Sequence, residues 1–500
     1  MEPKVRNKRI DESEFLAMRE SVLAQWPTGR EVDLQDGIDY QKRLPAAKNF
    51  LQITRRLRSE GRTAIFPRAG TALIEDSISL YRKLESSGVP FMPVTTDSYT
   101  RQMNFAKVDA ALEETRRSGR KVLNGYPLIN HGVHATRRVI ESVTTGAFDP
   151  RMSLRSYPLG TEIGLAAGMT GFSASAFISW GAYEKSADIA ESLASYQYMH
   201  RLIGYYAEHG VDITCDNHGW ILTGVQPMSV NLATVIAEIL MQAEQGVKSV
   251  VPYVHFMGNL AQDLAWIRVT PKLLREYLDR FGFEDVEIAG TFAQHTPLFP
   301  MPQGMGGAFA YADYTAMVAA LGRAEAVFIR TIDEALGVPT EESHALTYDS
   351  ANWFLNVIRG QHIDLQMPAI DEEAWIAEQE IRSILERLLE IGDGDILRGC
   401  IEGVHRGVID SSFSPNRQVK DQVIGVKDVR GAIRYQEFGN LPFSDEVKAF
   451  HRAKVAEREK ADGTKADYEM TVRDFWAFSK GQLIGRPTPR AAARGEAVPG

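Results

Sequence analysis

An α/β protein built as a (β/α)8 TIM barrel, with a helical extension before it and a smaller unit after it, is predicted by three features of the sequence. Short apolar or β-branched runs alternate with helical patterns from residue 61 to about 340. Helices of ordinary length fit between most of those runs. No glycine-rich first turn with an acidic residue further on advertises the doubly wound open sheet that is the structural alternative.

The strand candidates are 63–66, 91–95, 121–124, 152–156, 171–174, 211–215, 249–254, 286–292 and 326–330, one more than eight strands require. Helical spacing fills 73–86, 107–118, 187–208, 230–244, 271–281 and 311–322. Residues 1–60 form the helical extension, amphipathic over 12–25, broken by Trp26-Pro27-Thr28-Gly29 and helical again from Ala46 to Glu60. The barrel is assigned to 61–395, its last part a helical stretch through Glu390 with an acidic, apolar-striped segment at 371–389. Glycine, aspartate and aromatic residues mix over 396–486, which reads as an appended unit. The Pro, Ala, Gly and Arg of 487–500 read as a disordered tail.

With 500 residues and 44 % apolar content the chain can bury a large core. Fifty-six basic against 65 acidic residues give a net charge of −9, which disfavours nucleic acid and anionic membrane as partners. Only Cys215 and Cys400 are present, which points away from a disulfide framework and towards a reducing compartment. The N-terminus lacks an apolar h-region and no run approaches membrane-span length, so a cytoplasmic location is expected.

The chemistry is expected at strand ends. In Thr63-Ala64-Ile65-Phe66-Pro67-Arg68-Ala69-Gly70 a short apolar run stops at a proline and presents Arg68. The run 91–95 leads to Arg101, and Pro150-Arg151-Met152-Ser153-Leu154-Arg155 leads to Arg155. If the strands are parallel neighbours, Arg68, Arg101 and Arg155 emerge on one rim, where three planar forks suit a small di-anion. Taken singly, each is as well explained as a solvated or ion-paired structural arginine.

Other constellations are weaker. Asn124 opens the turn Asn124-Gly125-Tyr126-Pro127, a plausible source of amides at a barrel mouth or a plain connecting loop. His131 with His134, and Cys215 with His218, lack a third ligand at convincing spacing, so no metal site is assigned. Pro302-Gln303-Gly304-Met305-Gly306-Gly307 lacks the Lys-Ser/Thr pair of a phosphate loop and reads as a flexible connection. Arg330 and Glu334, at i and i+4, could clasp a polar ligand edge or form a surface ion pair.

The strings QWPTGREVDL, FPRAG, DSYTRQ, LNGYPLINHGV, EFGNLPF and GQLIGRP, in this order, resemble the large (epsilon) subunit of coenzyme B12-dependent glutamate mutase, or methylaspartate mutase, from about residue 10 to residue 487. The resemblance implies an isomerase that closes a barrel over adenosylcobalamin and rearranges the carbon skeleton of glutamate or a related di-acid through radicals. It implies a small Rossmann-like partner whose Asp-x-His-x-x-Gly motif supplies the cobalt-ligating histidine, and a dimer of this chain within a heterotetramer. The nearest approach here, Asp216-Asn217-His218-Gly219-Trp220-Ile221, lacks the final glycine, so the partner must bring the motif.

The resemblance also implies roles. Arg68, Arg101 and Arg155 would grip two substrate carboxylates, with Tyr183 on the substrate side as the catalytic residue. Ser156 and Ser173 would line the substrate, and Gly70, Asn124, His218, Arg330, Glu334 and Val338 the cofactor. Several positions depart from the family pattern: Ser173 stands where a glutamate contacts the substrate ammonium, Ser156 for a histidine, Ser179 for a tyrosine, Arg330 for a lysine and His218 for a phenylalanine. An unpaired ammonium in a dry site costs several kcal/mol, so a di-acid that lacks or masks the amine is expected unless Glu162 or Glu184 supplies the charge. The competing readings are a barrel lyase or aldolase, disfavoured because no strand-end lysine suggests a Schiff base, and a non-catalytic homologue.

Overall fold

The computed structural model describes residues 5–173, 175–220, 224–336, 340–359, 361 and 363–486. The tail 487–500 and Val338 lie outside the described residues. Among the described residues nine strands precede residue 340: β1 (Ala64–Phe66), β2 (Phe91–Thr95), β3 (Ala147–Arg151), β4 (Gly171–Ser173), β5 (Thr214–Asn217), β6 (Ser249–Phe256), β7 (Glu287–Ile288), β8 (Phe292–His295) and β9 (Ala326–Phe328). Two more, β10 (Val423–Lys427) and β11 (Ile433–Phe438), form a separate antiparallel hairpin.

The main sheet runs β1-β9-β8-β6-β5-β4 with β7 beside β6, every pairing parallel, while β2 and β3 form their own parallel pair. Single hydrogen bonds tie that pair to the sheet: Thr170 N donates to Phe148 O at 3.1 Å, and Thr95 N to Ala69 O at 2.8 Å. The outcome is a mixed α/β fold around a curled parallel sheet, a half-barrel in its ladders. The complete (β/α)8 ring expected from the sequence is met only to that extent. Because the strands are parallel, their C-terminal ends share one rim, the edge at which such sheets carry their sites.

Four strand expectations need correction. No strand forms over 121–124: Lys121 and Val122 are exposed and Leu123 alone is buried, so there is no row of side chains for a sheet to cover. The strand expected at 152–156 lies at 147–151 instead, where Asp149 and Pro150 speak against a strand because one brings a carboxylate and the other removes a donor. The fifth strand is shifted from 211–215 to 214–217, and 286–292 divides into β7 and the start of β8. The helix expected to begin at Pro271 runs unbroken over Leu260–Arg280, because burial of Trp266, Ile267, Leu273 and Leu274 on either side offsets the interior proline.

Below the rim the interior is aromatic. The helix Phe50–Ser59 of the N-terminal extension is started by Asn49, whose side chain accepts from Gln52 N, and it inserts Phe50 among Phe66, Phe91 and Phe292 at ring distances of 6.4, 4.8 and 5.6 Å. Gly171 makes room for that ring: a Cβ there would stand 2.3 Å from Phe50 Cδ2. The extension thus fills the aromatic interior between the strands from the N-terminal side, so a ligand of that interior enters from the other.

Residues 396–486 comprise the helix Ile396–Arg406, the hairpin, and the helices Asp445–Asp462 and Tyr468–Ala477. Buried polar links seat them on the helices before them and join them within the unit itself. Arg434 pairs with Glu373 and with Asp428 at 2.8 Å, His451 meets Glu380 at 2.5 Å, and Tyr435 and Ser229 share a hydroxyl bond of 2.7 Å. The chain then returns to the rim, where the Phe478 ring stacks on His295 at 4.7 Å.

Candidate active site

Polar groups follow the strand ends in turn: Arg68 two residues beyond β1, Asp97 beyond β2, Arg151 closing β3, Ser173 closing β4, His218 after β5, His255 in β6, His295 closing β8 and Arg330 beyond β9. They separate into a wet upper cluster and a dry lower network.

The upper cluster holds Arg68, Arg101, Tyr183, Arg330 and Glu334. Arg101 is set by a four-residue helical turn, Ser98–Arg101, whose N-cap Asp97 is wholly buried and accepts from Tyr99 N at 2.9 Å and Thr100 N at 3.0 Å. Burial, and then the charge of Arg68, pull the Arg101 pKa below the ordinary arginine value, and its buried Nε has no hydrogen-bond partner. Two guanidiniums that disfavour each other's charge, one with an unused donor, are a site short of an anion.

Arg68 Nη1 reaches Glu334 Oε1 at 2.6 Å, and the other Glu334 oxygen is buried with no partner. Arg330 is pinned from above β8, donating to Pro297 O at 3.0 Å, Phe299 O at 3.2 Å and Tyr311 OH at 2.9 Å, with its Nε left unpaired. The i, i+4 pair expected between Arg330 and Glu334 is thus replaced: the carboxylate clasps Arg68. Tyr183 is 58 % exposed, yet burial by the surrounding protein raises its phenol pKa against the pull of Arg68, Arg101 and Arg330. Its phenol is thus within electrostatic reach of all three cations.

The lower network bonds mainly to itself, with Asp149 Oδ1, Asp216 Oδ1, Arg151 Nε and His255 Nδ1 left without a partner. Arg151 donates to Asp149 at 2.7 Å, to Asp216 at 2.5 Å and to His218 Nε2 at 2.7 Å, and its guanidinium lies 4.8 Å over the Phe66 ring. Guanidinium only donates, so His218 must present a lone pair at Nε2 and carry its proton on Nδ1, which points to His255 Nε2 at 3.4 Å. Gln294, opposite His255 in the β6–β8 register, donates to the same nitrogen at 2.8 Å. Burial drives the pKa of His218 well below the imidazole range and that of His255 down to about 3, so both are neutral.

Burial raises Asp149 and Asp216 above the usual carboxylate range, opposed by Arg151. Ser173 belongs to this network, touching Asp216 and Tyr157, and its backbone N–H serves Asp149.

The remaining predicted residues spread around these two groups. Arg155 is exposed on the turn after β3, and the arginine at the strand end is Arg151; the turn is nevertheless fastened beside the upper cluster, since Ser153 Oγ donates to Arg101 O at 2.9 Å. Ser156 is buried and returns its hydroxyl to Ser153 O at 3.1 Å, while Ser179 meets Tyr196 OH at 3.3 Å. Asn124 is exposed in a loop held to the end of β2 by Tyr126 N donating to Thr95 O at 2.8 Å. Gly70 lies against the same strand end, where a Cβ would meet Thr95 O at 2.4 Å.

Glu162 is taken by Arg19 at 3.1 Å and Tyr198 at 2.5 Å, so it is not free to serve a ligand. The glycine-rich 302–307 stretch delivers the start of the helix Met305–Leu321. His131 is bonded to Ala72 O at 2.8 Å, and among the described residues no His, Cys, Asp and Glu group is arranged to hold a metal.

Reading strand ends from sequence missed Arg151, Asp149, Asp216, His255 and Gln294. The one available signal was alternation: Tyr253 and His255, two apart in an otherwise apolar run, share a face.

Fold and site together define an α/β protein whose C-terminal strand rim gathers Arg68, Arg101, Tyr183, Arg330 and Glu334 over a buried polar network centred on Arg151. The model of the family described as Methylaspartate mutase E chain (MutE) matches residues 44–487. Among similar proteins are three named glutamate mutase epsilon subunit. That of Desulfitobacterium hafniense is 37 % identical across 96 % of this chain and 99 % of its own, that of Treponema denticola 35 % across 97 % and 99 %, and that of Yersinia enterocolitica 34 % across 97 % and 100 %. The chain belongs to the methylaspartate mutase E chain family.

Proposed function

We propose that this chain is the large, substrate-binding subunit of an isomerase, an adenosylcobalamin-dependent mutase that rearranges glutamate or a closely related di-acid, working with a small cobalamin-carrying subunit on a dimer of this chain. The observation that carries the proposal is the pairing of Arg68 and Arg101 beside Tyr183 on a rim with an anion deficit.

In this reading the parallel strands complete a (β/α)8 barrel through the β2–β3 pair. Arg68 and Arg101 hold the substrate carboxylates by forked hydrogen bonds, and Arg155, on the turn fastened to Arg101, adds a third guanidinium from the rim. Tyr183 offers its hydroxyl to the substrate; burial keeps it protonated and therefore a donor. The unpaired Glu334 oxygen and Arg330 Nε fit the hydroxyls and base of an adenosyl group, with Gly70 and Asn124 completing that side and His218 in the floor beneath it. When bound, adenosylcobalamin supplies the cobalt–carbon homolysis and hydrogen abstraction that side chains cannot. The closed floor around Arg151 excludes water beneath the reacting carbons.

Ser173 brings no carboxylate and Glu162 is already engaged, so the charge for an ammonium group would have to come from Glu334, whose second oxygen is unpartnered in the upper cluster, or from Glu184, which follows Tyr183 in the chain. Glutamate and a di-acid without the amine are therefore both candidates, and the test below includes both. Two buried free cysteines, Cys215 and Cys400, fit a cytoplasmic protein.

The test is to mix the chain with a small subunit of the family and adenosylcobalamin, add L-glutamate or glutarate, and follow products by NMR and bound cobalamin by its visible spectrum. A substrate-dependent spectral change with an isomerised di-acid is the expected outcome. Cobalamin binding with no response to any di-acid would reduce the chain to a non-catalytic homologue.

A further inference from the structure

A second cationic cavity lies at the opposite end of the strands. Its volume is 650 Å³ and its walls come from residues just before β1, β2 and β9, including Arg62, Pro90 and Glu325. Five arginines are among its lining residues, Arg56, Arg58, Arg62, Arg323 and Arg359, together with Glu60 and Glu325.

Two of the five are neutralised. Arg58 pairs with Glu325 at 2.9 Å and Arg62 with Glu60 at 3.1 Å. Among the described residues no carboxylate pairs with Arg56, Arg323 or Arg359, an excess of three cations in a chain whose net charge is −9. The helices Phe50–Ser59, Met305–Leu321 and Glu341–Ile358 all end here, and their carbonyl dipoles answer part of that charge. Three half-charges on exposed helix ends do not call for five arginines gathered round one hollow.

Arg323 makes the point at the level of one residue. The helix Met305–Leu321 closes with Arg323 N donating to Ala320 O at 3.1 Å and Ala324 N to Ala319 O at 2.9 Å, and this termination places residue 323 in the left-handed region at φ 61°. Glycine is the residue such a position favours. An arginine there accepts backbone strain in the wall of the cavity.

Asn352 and Asn356, one helical turn apart, add amides, and Leu57, Ile65 and Leu355 add an apolar wall. Cations on one side, amides and an apolar surface on the other, in a volume suited to a small molecule, match an organic phosphate with a ring or hydrocarbon part.

We propose that this cavity is a binding site for a phosphorylated small molecule of nucleotide size, separate from the di-acid site and independent of it. The experiment is a calorimetric titration of the full chain with ADP at physiological salt, on wild type and on Arg323→Gly, Arg359→Gln and Arg101→Gln. Arg323→Gly keeps the backbone conformation and removes only the cation, so its thermal midpoint should equal or exceed that of wild type.

Saturable one-site binding is expected, weakened at least fivefold in Arg323→Gly and Arg359→Gln and unchanged in Arg101→Gln. The proposal fails if wild type shows no saturable binding, if both cavity variants bind as wild type does, or if Arg101→Gln alone abolishes binding, which would place ADP at the catalytic rim.

Discussion

Arg101 and Arg151 follow neighbouring parallel strands, yet their surroundings assign them opposite work. Arg151 spends its donors on Asp149, Asp216 and His218. Both keep a buried Nε without a partner, but Arg101 faces another cation and, among the described residues, pairs with no carboxylate. The first is a strut whose charge is answered inside the protein, and the second is a socket whose charge awaits a ligand. What distinguishes a structural from a functional arginine here is whether carboxylates already answer its charge, and position at a strand end does not reveal that.

The largest expected effect breaks the strut. Arg151→Met leaves Asp149 and Asp216 buried without their cation, which should destabilise the fold by about 3–5 kcal/mol, read as a shift in the urea unfolding midpoint. If stability is kept, Arg151 is not structural and the contrast with Arg101 collapses.

Next comes the socket. Arg101→Gln should lower kcat/KM for the di-acid by about 10²–10³-fold, about 3–4 kcal/mol for charge-assisted bonds to a carboxylate, while unfolding free energy changes by less than about 1 kcal/mol. Equal losses of stability and turnover would show that Arg101 is another strut.

The floor can be probed by pH. Burial holds the His255 pKa at about 3 in the folded chain against an ordinary 6.5. The unfolded chain therefore takes up a proton first as pH falls. The contribution of neutral His255 is whole above pH 6.5 and is lost progressively towards about 3, at about 1.4 kcal/mol per pH unit. Relative to wild type, His255→Gln should gain stability as the solution is acidified through that window. Parallel pH profiles of the two proteins would mean that His255 titrates normally.

The smallest effect is at the wet pair. Arg68 and Glu334 bond at 2.6 Å, but the Arg68 side chain is 45 % exposed, so Glu334→Gln should cost about 0.5–1 kcal/mol or less of stability. Its consequence should appear instead in weaker cofactor binding by the assembled complex. A large loss of stability would move Glu334 from socket to strut.

Much of this was legible in the sequence. TAIFPRAG announced β1 and its arginine because an apolar run broken by proline can only be a short buried element. Helices such as Ile189–Glu208 were visible from their spacing and from Asp188, which caps the first turn. The third strand was not legible: Asp149 and Pro150 violate strand chemistry locally, and the buried carboxylate is made tolerable by Arg151, two residues on along the same face of the strand. That shift moved the strand-end arginine from Arg155 to Arg151. The floor was hidden for a related reason, since His255 and Gln294 become meaningful only when register sets them opposite each other.

The most direct measurement is calorimetric titration of glutarate into the reconstituted complex, comparing wild type with Arg101→Gln at matched thermal midpoints. The arginine socket predicts saturable binding that weakens about 100-fold in the variant, a loss of about 2.7 kcal/mol. Equal affinity in the two proteins would contradict it.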